Sequence, residues 1–185
     1  MRKKSIHAVL SFVLAASVLL TGIPYEAQAE TVQNEATAYA VTAENVNHAA
    51  TATMSASSVE DDLARLAADK ANDGDSTTRW ASNYDDPSTH WLKAEFTDVT
   101  KVQHIKLQLF TRDVDPTPSN VSQFSIKYVD ADGNEQYAVQ NYKNKTSGSG
   151  YAADISIVLD EAIYAQSLTI CEFTATAANW NNVSI

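Results

Sequence analysis

Hydrophobic and polar positions alternate along most of the second half of the chain, at the two-residue period of half-buried strands. In residues 91–96, Leu92, Ala94 and Phe96 fall on one side and Trp91, Lys93 and Glu95 on the other. Residues 103–110 repeat the pattern, with Ile105, Leu107 and Leu109 inward and His104, Lys106 and Gln108 outward. Phe124, Ile126 and Tyr128 share a face of 123–129, and Ile155, Ile157 and Leu159 share a face of 154–159. Asp132-Gly133 signals a hairpin turn into a strand over 136–140. Residues 111–121 contain Pro116 and Pro118 and cannot continue a strand, while 141–150 reads as a polar loop. A last strand spans 167–173, where the alternation does not select a face for Cys171. That thiol reads as buried and inert, because no base is placed to activate it.

Ahead of these strands, residues 51–57 (TATMSAS) suit a short edge strand. Ser58, followed by Glu60, Asp61 and Asp62 and then by Leu63, Leu66, Ala67 and Ala71, predicts a capped short helix. Asn72-Asp73-Gly74-Asp75 stops it. Seven or eight short strands, little helix and no βαβ rhythm predict an all-β fold, a two-sheet sandwich.

The N-terminal residues follow a different pattern. Arg2, Lys3 and Lys4 precede an apolar run over 8–23, and Ala27-Gln28-Ala29 has the small-x-small form of a signal peptidase site. Residues 1–29 therefore read as a signal peptide and 30–49 as a flexible linker. The folded unit is expected over 50–185, with no membrane span in the mature chain. Cleavage removes Arg2, Lys3, Lys4 and Glu26, so 13 basic and 23 acidic residues become 10 and 22, a net charge of −12. An acidic surface of this size opposes binding to nucleic acid, which requires phosphate neutralisation. It also suits a soluble extracellular protein. Cys171 is the only cysteine, so no intrachain disulfide forms and the core itself must hold the fold.

The sequence lacks HExxH, GxSxG, a glycine-rich phosphate loop and CxxC, and its acids sit mostly in turns and at outward strand positions. The densest chemistry lies in residues 70–84 (KANDGDSTTRWASNY). Asp73, Asp75 and Thr78 surround Gly74 at a spacing that can turn oxygens inward towards a hard cation such as calcium. A plain Asx-type turn with surface acids is the alternative. Trp80 and Trp91 read as core plugs. Tyr84, His90 and Arg112 on neighbouring loops offer the ring face and hydrogen-bond donors of a shallow sugar site, with Tyr142 and Trp180 as further aromatics.

An ordered set of segments carries a family resemblance. Ser55 to Ser58 (SASS), Ala71-Asn72-Asp73-Gly74-Asp75, Thr78-Arg79-Trp80-Ala81-Ser82, Trp91-Leu92 and Trp180-Asn181-Asn182-Val183-Ser184-Ile185 resemble the discoidin, or coagulation factor 5/8 type C, domain. Its bacterial branch is the galactose-binding-like family 32 carbohydrate-binding module. The resemblance implies a jelly-roll β-sandwich of about eight strands, non-catalytic, attached to secreted glycosidases or surface proteins. It implies one structural calcium held by the Lys70 carbonyl, Asp73, Asp75 and Thr78. It also implies glycan binding on loops that here include Asn83, Tyr84, His90, Arg112, Asp113 and Asn144. Family members continue beyond a WNNVSI-like segment into a strand whose glutamate closes the calcium shell, so the final strand looks truncated and downstream domains are expected. A galactose- or hexosamine-type glycan is the expected partner. A surface adhesion or spacer module, or the N-terminal piece of a glycoside hydrolase, is the alternative.

Overall fold

Five antiparallel strands, lying side by side in the order Thr53–Ala56 (β1), Trp91–Gln108 (β2), Asp154–Ala175 (β7), Val121–Asp130 (β3) and Glu135–Lys143 (β4), form the main sheet of this computed structural model. The structure describes residues 46–110, 119–147, 150–175 and 182–185, all within the compact unit Val46–Ile185. The signal-peptide segment and residues 30–45 of the expected linker lie outside the described residues, as do Arg112, Asp113 and Trp180. Residues 46–49 belong to the folded unit. Asn72 Nδ2 donates to the Ala49 and Ala52 carbonyls at 2.7 and 3.0 Å, which draws the unit's start ahead of Ala50.

β1 (Thr53–Ala56) is the expected edge strand, pairing with β2 from Thr53↔Glu95 to Ala56↔Leu92. β2 (Trp91–Gln108) is one strand where the pattern predicts two, and β7 (Asp154–Ala175) likewise joins two predicted strands. The residues between the predicted pieces pair with each other, Thr100↔Ala165, Lys101↔Tyr164 and Val102↔Ile163, so they continue the ladder, with Ala165 and Val102 buried. Register shifts between Glu95 and Thr100 and between Val102 and His104 interrupt β2 there. The first half of β2 pairs with the second half of β7, and residues 104–108 pair with 154–158. Beyond β2, Phe110 N donates to Ser184 O at 3.0 Å, and Trp80 and Ile185 exchange both backbone bonds at 2.8 and 3.0 Å. The arrangement is all-β and sandwich-like. Its core joins Leu92, Phe124, Ile126 and Phe173 to Ile105, Leu109, Ile155 and Ile157, with Trp80, Val183 and Ile185 packed among them. Each such side chain contributes about 1.5–3 kcal/mol on burial.

β3 (Val121–Asp130) turns into β4 (Glu135–Lys143) through Asp132-Gly133 as predicted, with Gly133 at φ 86°. Two bulges flank Ser125. On β4, the three steps from Val139 to Tyr142 face two steps of β3, with Asn141 at φ 53°. On β7, the same excess falls between Cys171 and Thr174, with Glu172 at φ 56°. The second bulge explains the ambiguous alternation: Ile170 and Phe173 are both buried although three positions apart.

Two expectations are corrected. The 141–150 segment is not simply a loop, since Asn141–Lys143 ends β4 and β5 (Thr146–Ser147) pairs with β6 (Gly150–Tyr151). Tyr151 exchanges two 2.9 Å backbone bonds with Ser119, which holds that ribbon in place. The helix predicted after Ser58 is replaced by short 3-10 turns at Glu60–Asp62, Ala64–Leu66 and Ala68–Ala71. Ser58 cannot serve as a cap because its carbonyl accepts from Trp80 Nε1 at 2.9 Å and its hydroxyl accepts from Asn83 N at 3.1 Å. Leu66 O and Glu60 N are tied to Ala81, leaving no continuous helical ladder.

Candidate functional site

The 70–78 turn brings together all four oxygen sources expected there. Thr78 Oγ1 lies 2.8 Å from Asp73 Oδ1, 2.9 Å from Asp75 O and 3.3 Å from Lys70 O. Gly74 makes the reversal at φ 82°, a conformation that favours glycine. Asp73 Oδ1 also accepts from Asp75 N at 3.0 Å, and this bond, with that from Thr78, lowers its carboxyl pKa. Asp75 Oδ1 takes the Thr77 hydroxyl at 2.7 Å and the Thr77 N–H at 2.9 Å, which lowers its pKa in the same way. Thr78 has a single hydroxyl hydrogen and three acceptor oxygens within reach, and Asp73 Oδ2 lies 3.6 Å from the Lys70 ammonium. The donor set is all oxygen, the chemistry a hard cation requires. Among the described residues, no cluster of three His, Cys, Asp or Glu side chains offers an alternative metal centre.

The predicted sugar-contacting residues separate. Tyr84 is 42% exposed, and its hydroxyl donates to Glu60 Oε1 at 2.6 Å. Glu60 Oε2 accepts from Asn182 Nδ2 at 3.1 Å, and the Asn182 carbonyl accepts from Asn120 Nδ2 at 3.3 Å. Asn83 is exposed beside Tyr84, with its N–H fixed on Ser58. Glu60 and Asn182 were not predicted at this site. They lie 24 residues from Tyr84 and 122 from Glu60 respectively, and no spacing rule connects them.

His90, expected as an exposed sugar ligand, is corrected: it is buried, at 2% exposure. Asp85 Oδ1 approaches Nε2 to 3.0 Å, off the line of a hydrogen bond, and Ser58 Oγ lies 3.4 Å from Nδ1. This is a support beneath the 83–90 loop. Asn144 is also corrected: it is buried, and its Nδ2 donates to Val121 O and Ala152 O at 2.9 Å each. It staples the start of β3 to the chain before β7. Tyr142 packs on Phe124 with ring centroids 4.9 Å apart and so is also structural. Trp80 is the expected core plug, whereas Trp91 is half-buried and lies outside the core. Arg112, Asp113 and Trp180 lie outside the described residues.

Cys171 is half-buried, and burial followed by the neighbouring Glu172 charge raises its thiol pKa to about 11. It is therefore protonated at neutral pH and a poor nucleophile. Among the described residues, no helix is long and apolar enough to cross a membrane.

The fold can be placed among known structures. A family 32 carbohydrate-binding module from Streptococcus pneumoniae EndoD superposes with a TM-score of 0.57 at 19% identity, covering 75% of this chain and 94% of that one. The family 32 module of C. perfringens NanJ, solved with galactose, gives 0.55 at 18% identity, covering 75% and 96%. Chitosan-binding module 2 of the Paenibacillus sp. IK-5 chitosanase/glucanase, solved with chitotriose, gives 0.52 at 23% identity, covering 75% and 94%. At these identities the likeness establishes the fold. No curated protein matches the chain by sequence. A family model does, over residues 70–170, more than half of its length, and the chain therefore belongs to the F5/8 type C family described as the NedA-like, galactose-binding domain.

Proposed function

We propose that this chain is a secreted, non-catalytic carbohydrate-binding module that recognises galactose- or hexosamine-type glycans at the rim around Tyr84. The single observation that carries this reading is the exposed Tyr84 ring, held by its hydroxyl on Glu60 beside exposed Asn83. A fixed aromatic face next to an amide can stack a pyranose and bond its hydroxyls with little ordering cost. The sugars in the superposable modules, galactose and chitotriose, are of the same classes. Asn182 and Asn120 brace the rim from beneath through Glu60.

We further propose a jelly-roll of about eight strands, with the bent halves of β2 and β7 each counted as a strand of its own layer. The 70–78 turn would hold one structural calcium through Lys70 O, Asp73, Asp75 and Thr78. Bound there, the ion would supply rigidity to the turn that leads into Trp80, and no chemistry. A glycan array probed with the chain, with and without calcium, tests the reading. Binding to terminal galactose or hexosamine that is lost in Tyr84→Ala is the expected result. A folded, calcium-loaded sample that binds no glycan overturns it in favour of an adhesion or spacer role.

A further inference from the structure

A second concave site lies far from the Tyr84 rim. Between the 130–134 turn and the bend of β7 is an open cleft of about 350 Å³, lined by Tyr128, Asp130, Asp132, Gln136, Glu161 and Tyr164 among others. It is shallow and open to solvent, so a ligand there would rest on one face. It suits a mono- or disaccharide-sized ligand. β3 separates the cleft from Asn120 and the Glu60 cluster, a span of about 30 Å at strand rise.

The walls are built rigidly. The Asp130 carboxylate is spent on the turn, accepting from Asp132 N and Asn134 N at 2.9 Å each and from Gln136 Nε2 at 2.7 Å. Tyr128 donates its hydroxyl to Gln136 Oε1 at 3.1 Å, and Gln166 Nε2 ties the Ala131 carbonyl to β7 at 3.1 Å. What remains available is a Tyr164 ring 57% exposed and the exposed carboxylates of Asp132 and Glu161. No Lys, Arg or His is among the lining residues described. An aromatic face beside exposed carboxylates complements a ligand that is both a pyranose and a cation, and Lys101, opposite Tyr164 on β2, is the nearest basic residue in the ladder.

We propose that this cleft is a second ligand site, taking a protonated amino sugar with its ring on Tyr164 and its ammonium towards Asp132 and Glu161. It does not depend on the Tyr84 site, and either site can fail alone. The test is an amide-shift NMR titration of the whole chain with fully deacetylated glucosamine trisaccharide at mildly acidic pH and low salt. Shifts at Ala131, Asp132 and Ala162–Tyr164 are expected, unchanged in Tyr84→Ala. Tyr164→Ala and the isosteric Glu161→Gln should each weaken them about tenfold in apparent affinity. Both residues are exposed, so the fold should be retained, and Glu161→Gln carries the test if Tyr164→Ala does not fold. Equal shifts with the neutral N-acetylated trisaccharide would overturn the proposal. So would shifts confined to the Tyr84 rim, or tight binding of a lysine-rich peptide that ignores both substitutions.

Discussion

Tyr84 donates its hydroxyl to Glu60 Oε1 at 2.6 Å, a bond that joins the exposed 83–90 loop to the first turn after Ser58. The other Glu60 oxygen is held by Asn182, so the carboxylate is fixed from both sides. This predicts separable roles for ring and hydroxyl. Tyr84→Ala should abolish glycan binding with little change in melting temperature. Tyr84→Phe should keep the ring and weaken affinity about two- to tenfold, the value of one hydrogen bond. Calorimetric titration with galactose or a hexosamine checks both.

For the 70–78 turn, Asp73→Ala should lower the melting temperature more in calcium than in chelator. In chelator the variant loses the bonds from Asp75 N and Thr78 and the Lys70 ion pair; in calcium it loses the ion's ligand as well. Equal destabilisation in the two conditions would remove Asp73 from the ligand set. Differential scanning calorimetry with calcium and with chelator gives the comparison.

Ser125 links the two bulges. It is fully buried, accepts from Asn141 N at 3.1 Å, and its bond to Glu172 is the leading cause of that carboxyl's lowered pKa. Ser125→Ala would leave Asn141 N without this acceptor and should cost about 1–3 kcal/mol. Urea unfolding should give a lower midpoint with an unchanged slope.

Acid stability should depend on the turns. The Asp130 pKa is lowered, chiefly by the Asn134 backbone N–H, with smaller contributions from the Asn134 side chain, Asp132 and Gln136. A group depressed in the folded state stabilises fully above its unfolded value of about 3.9, and that stability is lost as pH falls through the folded value. Asp73, Asp75 and Glu172 act with the same sign. Asp130→Asn should therefore flatten the fall of the unfolding midpoint on acidification below about pH 4. A fall as steep as in the parent chain would exclude Asp130 from that limb.

The strand faces were legible because a two-residue period survives any register. Leu92, Phe124, Ile126, Ile155 and Ile157 turn inward as the alternation predicts. The turn at Gly74 and the hairpin at Gly133 were legible for a local reason, since both need φ near +80°. By contrast, the sequence could not show that β2 and β7 are continuous. Their middles are stabilised by pairing with each other, across more than sixty residues. The helix expected after Ser58 fails for the same reason, because Trp80 and Asn83 take the Ser58 oxygens that a cap would need. At the candidate site, residue type marked Tyr84 and Asn83 as candidates. Burial removed His90 and Asn144, and only the fold could bring Glu60 and Asn182 beneath the tyrosine. By itself, then, the sequence determined strand faces, tight turns and the oxygen-rich 70–78 segment, all set by interactions within a few residues. Tertiary structure decided which polar side chains became supports and which stayed at the surface, because that depends on backbone groups distant in sequence that compete for the same donors and acceptors.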